Sequence, residues 1–329
     1  MEYPKFKVCC RCFTFNQAKY ITDAMNGFTM QQTSFPFVCT IVDDASTDGE
    51  PEVIRKYVEE NFDFSEGSVA FHKETDYAHI TYAQHKTNNN CYFAVLYLKE
   101  NHYSQSKSKM GYLSEWRDMC EYEALCEGDD WWISTGKLQK QSDILDNHPE
   151  LDMCACGTVC YKDSTIVSYI QPSKEERVLS TEETILGGGG FLGTNSLMHR
   201  MSIFQDNYRF WRHMGLDFFL QIHGSLRGGI YFIPDVFSAY RLSADGSWSN
   251  TMHSSPKKYF FHIERVIETL SMLDVETSHQ YHSAIEKKKI SNYQSMFLIG
   301  LSNHVLFEKM TWLEKIRFFY LLLKHHLYL

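Results

Sequence analysis

The stretch VCTIVDDASTDG, residues 38–49, decides the fold. An apolar run with β-branched residues ends abruptly in Asp43, Asp44, Ser46, Thr47 and Asp48, which reads as strand, turn and then helix. Ligands of open α/β sheets bind beyond the carboxyl ends of the strands, so these side chains fall where a nucleotide is expected. Taken alone, the same residues also read as a helix cap supplied by Ser46 or Thr47.

Working outward, KVCCRCFTFNQAKYITDAMNGF (residues 7–28) repeats the pattern of strand, loop and amphipathic helix. Val8, Cys10 and Cys12 alternate with Cys9, Arg11 and Phe13, and Tyr20, Ile21, Ala24 and Phe28 mark one helical face. Downstream, EGDDWW (residues 127–132) places Asp129 and Asp130 after an apolar segment. Adjacent ionised carboxylates repel, and a divalent cation or hydrogen-bond donors must offset that repulsion. Without such a partner the pair is a solvated turn ahead of a helix at 136–147. Strands and helices alternate through about residue 150, the pattern of a doubly wound sheet. Residues 67–100 are the least regular part, with turn-prone KTNNN preceding a strand-like CYFAVLYL.

Four separated motifs together resemble the GT-A glycosyltransferases of family 2: CFTFNQAKYI (12–21), VDDASTD (42–48), EGDDWWISTGKLQKQSDIL (127–145) and GLDFFLQIHGSLRGGIYFIPDVFSAYRLSADGSWS (215–249). The resemblance spans residues 5–250. It implies a GT-A, Rossmann-like fold of the nucleotide-diphospho-sugar transferase type, with a mostly parallel sheet flanked by helices in residues 1–250 and a C-terminal helical extension over 251–329. It also implies a sugar-nucleotide donor, a UDP-sugar being favoured, and an acceptor that is a glycan or a lipid-linked glycan of bacterial surface polysaccharide, with inversion at the anomeric carbon. By the same resemblance Asp44 hydrogen-bonds the base with Asp43 in support, and Phe13 and Asn16 belong to the donor-binding strand and loop. Asp130 is the first choice as ligand of Mn²⁺ or Mg²⁺; Asp129 contacts ribose or metal, and Glu127 contributes more weakly. Asp217 matches the catalytic base, and the apolar Phe218, Phe219 and Leu220 behind it are expected to raise its pKa. Two positions depart from the family pattern: Leu216 stands where a Glu or Gly is common, and Ser243 where relatives often carry a histidine. Arg241 or a lysine such as Lys107 is therefore expected to supply charge to the phosphates, with a structural clamp the alternative for Arg241 and a solvated loop for Lys107 and Lys109.

At 329 residues with 43% apolar content, the chain can form one large α/β domain and a smaller appendage. A formal charge of −9 argues against nucleic acid as a partner, since phosphate neutralisation needs a basic face. Aromatics make up 15% of the chain, most expected in the core and some at a sugar-binding mouth. Three of the ten cysteines fall on the first strand, and no second ligand pair completes a tetrahedral zinc site. MEYPKFKV passes directly into that strand without a signal-peptide pattern, so reduced cysteines and a cytoplasmic location are expected. GGGG at 187–190 reads as a hinge or loop, and Thr194, Asn195, Ser196 and His199 as donors to a sugar or as parts of a ligand-free hairpin. Helical patterns follow Pro256, near 257–273, 276–300 and 302–328. The last aligns Trp312, Ile316, Phe319, Leu323 and Leu327, with Lys315, Arg317, Lys324 and His325 beside them. That stripe suits peripheral contact with the inner face of a plasma membrane, or packing on this domain or on a second subunit. Two rival classes share these motifs: a metal-dependent nucleotidyl or phosphoryl transferase, and a catalytically silent sugar-nucleotide-binding module.

Overall fold

In a computed structural model, residues 3–242 and 256–298 are described, together with 311–313, 315, 316, 319 and 320 of the C-terminal stretch. Ser243, Asp245, Arg317, Leu323, Lys324, His325 and Leu327 lie outside the described residues. The elements in chain order begin with β1 (Val8–Thr14), α1 (Ile21–Thr29), β2 (Phe37–Asp43), α2 (Glu50–Asn61), β3 (Phe71–Glu74), β4 (Ala78–Gln84) and β5 (Cys91–Leu98). Next come α3 (Ser114–Arg117), β6 (Tyr122–Leu125), β7 (Trp131–Trp132), α4 (Lys137–Asn147), β8 (Met153–Lys162), β9 (Thr165–Ile170) and β10 (Arg177–Leu179). The remainder are α5 (Thr181–Gly187), β11 (Met198–Arg200), α6 (Phe210–Met214), α7 (Asp217–Ser225), β12 (Ile230–Leu242), α8 (Pro256–Glu276) and α9 (His282–Leu298).

The chain divides into two compact units. The first comprises residues 1–179, 190–206 and 224–245; the second comprises 180–189, 207–223 and 246–329, so it draws on segments that precede residue 250. The boundary crosses the glycine run at 187–190.

The first unit is built on a 12-stranded mixed sheet with the path β10-β12-β8-β11-β6-β1-β2-β5-β4-β3. Its centre, β6-β1-β2-β5, is parallel, as the strand-helix alternation predicts. Antiparallel pairs adjoin this centre on both sides, and farther out β8 and β12 pair in parallel. Within residues 67–100, the least regular part of the pattern, the strand-like CYFAVLYL is β5 and joins β3 and β4 in a meander, and β11 inserts antiparallel between β6 and β8. The alternation along β1 sorts side chains between two cores rather than between core and water. Val8, Cys10 and Cys12 join Phe28, Phe93 and Trp132 on one face, whereas Cys9 joins Val42, Leu96 and Trp116 on the other, with Phe13 packed against that second cluster. Both faces are covered, as a parallel centre requires. All ten cysteines are free and buried, behaving as small apolar side chains in this packing.

Two close approaches aim the elements that follow. A Cβ on Gly27 would stand 2.8 Å from the backbone nitrogen of Trp132, so a glycine lets α1 lie directly on β7. β7 in turn pairs antiparallel with β12, Trp132 opposite Ser238 and Trp131 opposite Ala239. β12 runs parallel to β8 through a register shift between Ile233 and Ser238, where Pro234 is accommodated at an irregularity. This ladder carries Arg241 to the residues after β6.

The second unit is helical. α5 begins at a capping box in which Ser180 and Glu183 satisfy each other's backbone N–H groups. α6 is capped by Glu276 of α8, whose carboxylate accepts from the N–H groups of Arg209 and Phe210. Ile263, Ile267, Tyr293 and Met296 form the core between α8 and α9.

Candidate functional site

The parallel register sets Thr14, the last residue of β1, opposite Asp43, the last of β2, and places Leu125 at the end of β6 opposite Arg11. Three loops therefore emerge side by side, carrying residues 15–20, 44–49 and 126–130. Their hydrogen bonds weave them together. Asn16, at φ +55°, donates its N–H to Ser46 Oγ and accepts from the Thr47 N–H, each at 2.8 Å. Asp48 accepts from the N–H groups of Ala18 and Glu50. The alternative reading of Ser46 or Thr47 as the cap of α2 does not hold: both are engaged by Asn16, and Asp48 meets the first helical N–H.

Beneath these loops lies Glu50, a fully buried carboxylate that the sequence reading passed over. It accepts from the Gln17 N–H at 2.9 Å and from Ser46 Oγ at 2.8 Å, and it bonds Thr14 Oγ1. Gln17 also hydrogen-bonds Asp129 through its side chain. The local signal was weak, because Glu50 looks like an ordinary acidic first-turn residue of α2 and its partners come from distant positions.

Asp129 and Asp130 lie beside this network. Gly128 donates its N–H to the carbonyl of Phe13 at 3.1 Å, pinning the acidic loop to the end of β1. Asp129 is half-buried and Asp130 is only 2% exposed. Asp130 Oδ1 accepts from the Arg241 N–H at 2.9 Å. Burial, reinforced by the charge of Asp129, pushes the Asp130 carboxyl well above its ordinary range, although that N–H opposes the shift. Burial likewise raises Asp129 against the opposing pull of its own backbone, Arg241 and Gln17. Asp43 is pushed up to about 6 by burial, with Ser46 opposing, and burial also raises Glu50.

Several carboxyls are thus held towards their neutral forms at one end of the sheet. A divalent cation would relieve that repulsion, and the carboxylate oxygens of Asp129 and Asp130 suit Mg²⁺ or Mn²⁺, whereas Glu127 does not join them in a set of three donors within 4.8 Å of one another. The adjacent pair Asp129 and Asp130 fits such an ion as two ligands, with the rest of an octahedral shell left to diphosphate and water.

The other candidates sort clearly. Arg241 is a clamp: Nε donates to the Asp129 carbonyl at 3.1 Å, a terminal nitrogen pairs with Asp23 at 2.9 Å, and the guanidinium lies between the rings of Tyr20 and Trp131. Asp44 is fully buried, and its oxygens accept from the backbone N–H groups of His102 and Tyr103 and from Lys109 Nζ at 2.8, 3.0 and 2.9 Å. Its visible work is to anchor the segment after β5. Lys107 pairs with Glu100 at the surface, so Lys109 is the lysine that enters the cluster, its ammonium also 4.9 Å from the centre of the Phe13 ring. Phe13 is half-buried between Lys109 and Arg11. Asp217 begins α7 in the second unit and is exposed. Phe218 and Phe219, the apolar residues that follow it, are buried. Asn195, Ser196 and His199, read as sugar contacts, are fully buried: Asn195 bonds the Ala239 carbonyl, Ser196 the Gly193 carbonyl, and His199 pairs with Glu123. Those internal partners remove them from a ligand surface.

No family model matches the chain. Its fold is glycosyltransferase-like. Staphylococcus aureus TarS, residues 1–349, solved with UDP-GlcNAc, superposes with a TM-score of 0.56 at 14% identity, covering 95% of this chain and 78% of that one. The same fragment solved with UDP gives 0.53 at 15%, covering 94% and 77%. In sequence, the chain is 30% identical over 274 residues to uncharacterized protein Rv1520 of Mycobacterium tuberculosis, covering 83% of this chain and 69% of that protein. Uncharacterized protein Mb1547 of Mycobacterium bovis matches to the same extent. The chain belongs to the family of these mycobacterial proteins, Rv1520 and Mb1547.

Proposed function

We propose that the protein is a metal-dependent glycosyltransferase of the GT-A, family 2 type. It moves a sugar from a nucleoside-diphosphate donor, a UDP-sugar being favoured, to a glycan or lipid-linked glycan in bacterial surface polysaccharide synthesis. One observation carries the proposal: the Asp129–Asp130 pair and the buried carboxyls Asp43 and Glu50 converge at the carboxyl ends of β1, β2 and β6, where such sheets bind nucleotides. The likeness in fold to TarS, solved with UDP-GlcNAc, supports this reading.

In the proposed reaction, Asp129 and Asp130 would hold Mn²⁺ or Mg²⁺. The ion supplies positive charge to the departing diphosphate without proton transfer. Arg241 keeps both aspartates in place through the Asp129 carbonyl and the Asp130 carboxylate. Asp217, assigned on its sequence match, takes the proton of the acceptor hydroxyl as that oxygen attacks the anomeric carbon. A single displacement inverts the configuration there.

Asp217→Asn tests the assignment, because it abolishes basicity while keeping size. Transfer should fall by roughly 10² to 10⁴, the usual worth of a general base, with donor-dependent thermal stabilisation retained. Wild-type release of nucleoside diphosphate from the variant, at saturating donor and acceptor, would leave Asp235 and Asp245 as the remaining candidates; Asp235 pairs with Lys140 at the surface. Release of pyrophosphate or phosphate would instead identify a nucleotidyl or phosphoryl transferase, and donor binding without turnover a silent module.

We also place the enzyme at the cytoplasmic face of a membrane through its C-terminal stretch. Trp312, Leu313, Ile316, Phe319 and Tyr320 are exposed there, at helical spacing. No helix among the described residues is long and apolar enough to cross a membrane. Packing against a second copy is the competing use of this stripe.

A further inference from the structure

α8 and α9 are joined by a short turn that gathers Asp274, His279 and His282. One carboxylate oxygen, Asp274 Oδ2, lies 3.0 Å from His279 Nδ1 and 2.8 Å from His282 Nδ1. Asp274 is 8% exposed, while both imidazoles are open to solvent. Its other oxygen, Oδ1, is buried and accepts no hydrogen bond from the described residues.

The turn itself is shaped to bring the rings over the carboxylate. Ser278 and His279, neither of them glycine, both adopt left-handed backbone conformations, at φ +51° and +62°. Such conformations are uncommon for side-chain-bearing residues and persist where surrounding structure holds them. Here the His279 N–H donates to the Asp274 carbonyl at 2.8 Å, and Thr277 Oγ1 donates to the Leu273 carbonyl at 2.8 Å. The chain then turns into α9 with His282 as its first residue.

We infer that Asp274, His279 and His282 form a binding site for a transition-metal dication of the Zn²⁺ class, built wholly within the helical unit. One ligand atom from each residue lies within 4.8 Å of the others. Metal-ligand bonds of about 2.0–2.2 Å in a tetrahedral shell separate neighbouring ligand atoms by about 3.3 Å. Small rotations of two exposed imidazoles open the present nitrogen-oxygen separations to that spacing. Each neutral ring then binds through Nδ1 and carries its remaining proton on Nε2. Water, or Asp274 Oδ1, completes the shell. Two imidazoles and one carboxylate select Zn²⁺, Co²⁺ or Ni²⁺ over Mg²⁺, whereas the carboxylates at Asp129 and Asp130 also accept Mg²⁺ and Mn²⁺. Mg²⁺ therefore reports on Asp129 and Asp130 alone, and substitution of those two residues isolates the histidine site for Zn²⁺.

The test uses the full chain with no affinity tag. Zn²⁺ titrated by calorimetry into Asp129→Asn/Asp130→Asn should still show one site, so the outcome is independent of the proposed transferase reaction. His279→Ala and His282→Ala should each weaken it by at least about tenfold, the loss that removing even an outer-shell partner of a ligand causes. Because both rings are exposed, the variants should keep the wild-type melting temperature in EDTA. Should either variant fold poorly, Co²⁺ added to wild type provides a second measurement: visible d–d bands of tetrahedral intensity, displaced by Zn²⁺, are expected. Zn²⁺ affinity unchanged in His279→Ala/His282→Ala would overturn the inference, as would a Co²⁺ spectrum of purely hydrated ion.

Discussion

A side chain at Gly128 would have nowhere to go. A Cβ there would stand 2.2 Å from Thr14 Oγ1 and 2.5 Å from Gln17 Oε1, the groups that link Glu50 to the acidic loop. Gly128→Ala should cost about 1–3 kcal/mol, as overpacking does, and should weaken donor binding by displacing Asp129. Calorimetric melting and Mn²⁺-dependent nucleotide titration read the two effects; an unchanged melting temperature would show that the loop yields freely. Asp43 supplies a pH signature. In the folded chain its carboxyl titrates near 6, above the ordinary value of about 3.9, so the folded state holds a proton that the unfolded chain has released. Its contribution to stability therefore declines as pH rises from about 4 to 6 and stays lost above that window. Asp43→Asn should remove this penalty, gaining about 1–3 kcal/mol at pH 7 and little at pH 4. Equal changes in denaturation midpoint at both pH values would show that the burial of Asp43 carries no such penalty.

Among the elements, the segment after β5 depends most on a single buried group. Asp44 holds it through two backbone N–H groups and Lys109, and the Asn101 side chain bonds the Asp44 carbonyl at 3.0 Å. Lys109→Met removes the only cation pairing with this carboxylate at salt-bridge distance among the described side chains other than His102. The variant should lose about 1–3 kcal/mol and show faster amide exchange across residues 100–110. Exchange that rises uniformly over the sheet instead would assign Lys109 to global stability. Elements of this kind were legible in the sequence to the extent that their cause is local. β1, α1, β2 and α4 announce themselves by period and by turn residues, and they stand where the pattern puts them. The ends of β1, β2 and β6 were legible for the same reason, because acidic and hydroxyl residues interrupt apolar runs. β5 was legible as the strand-like CYFAVLYL, but β3, β4 and the insertion of β11 were hidden, since strand partners are chosen over distances that no local period records. Glu50, Gln17 and Lys109 were missed or underweighted because each matters through residues far along the chain. Asn195 and His199 misled because polar side chains in a loop-like sequence reveal nothing of the buried carbonyl or carboxylate awaiting them.

At the scale of the whole molecule, the C-terminal stretch and the sheet call for different tests. Removing residues 303–329 should reduce co-sedimentation with anionic vesicles while leaving the melting of the sheet unit unchanged, because the described apolar side chains of that stretch are exposed. Unaltered sedimentation would exclude the lipid role, and a loss of dimer on sizing columns would assign the stripe to a second copy. The buried thiols offer a separate view of the same molecule. Cys9, Cys10 and Cys12 on β1, Cys39 on β2, Cys91 on β5, and Cys154, Cys156 and Cys160 on β8 sample strands across the sheet, and each is shielded from solvent. An alkylating reagent can reach these sulfurs only when the strand that bears them opens. The mass gained with time is consequently a clock of opening events, and peptide mapping of the modified sites ranks the strands by how often they part, with no engineered label in the chain.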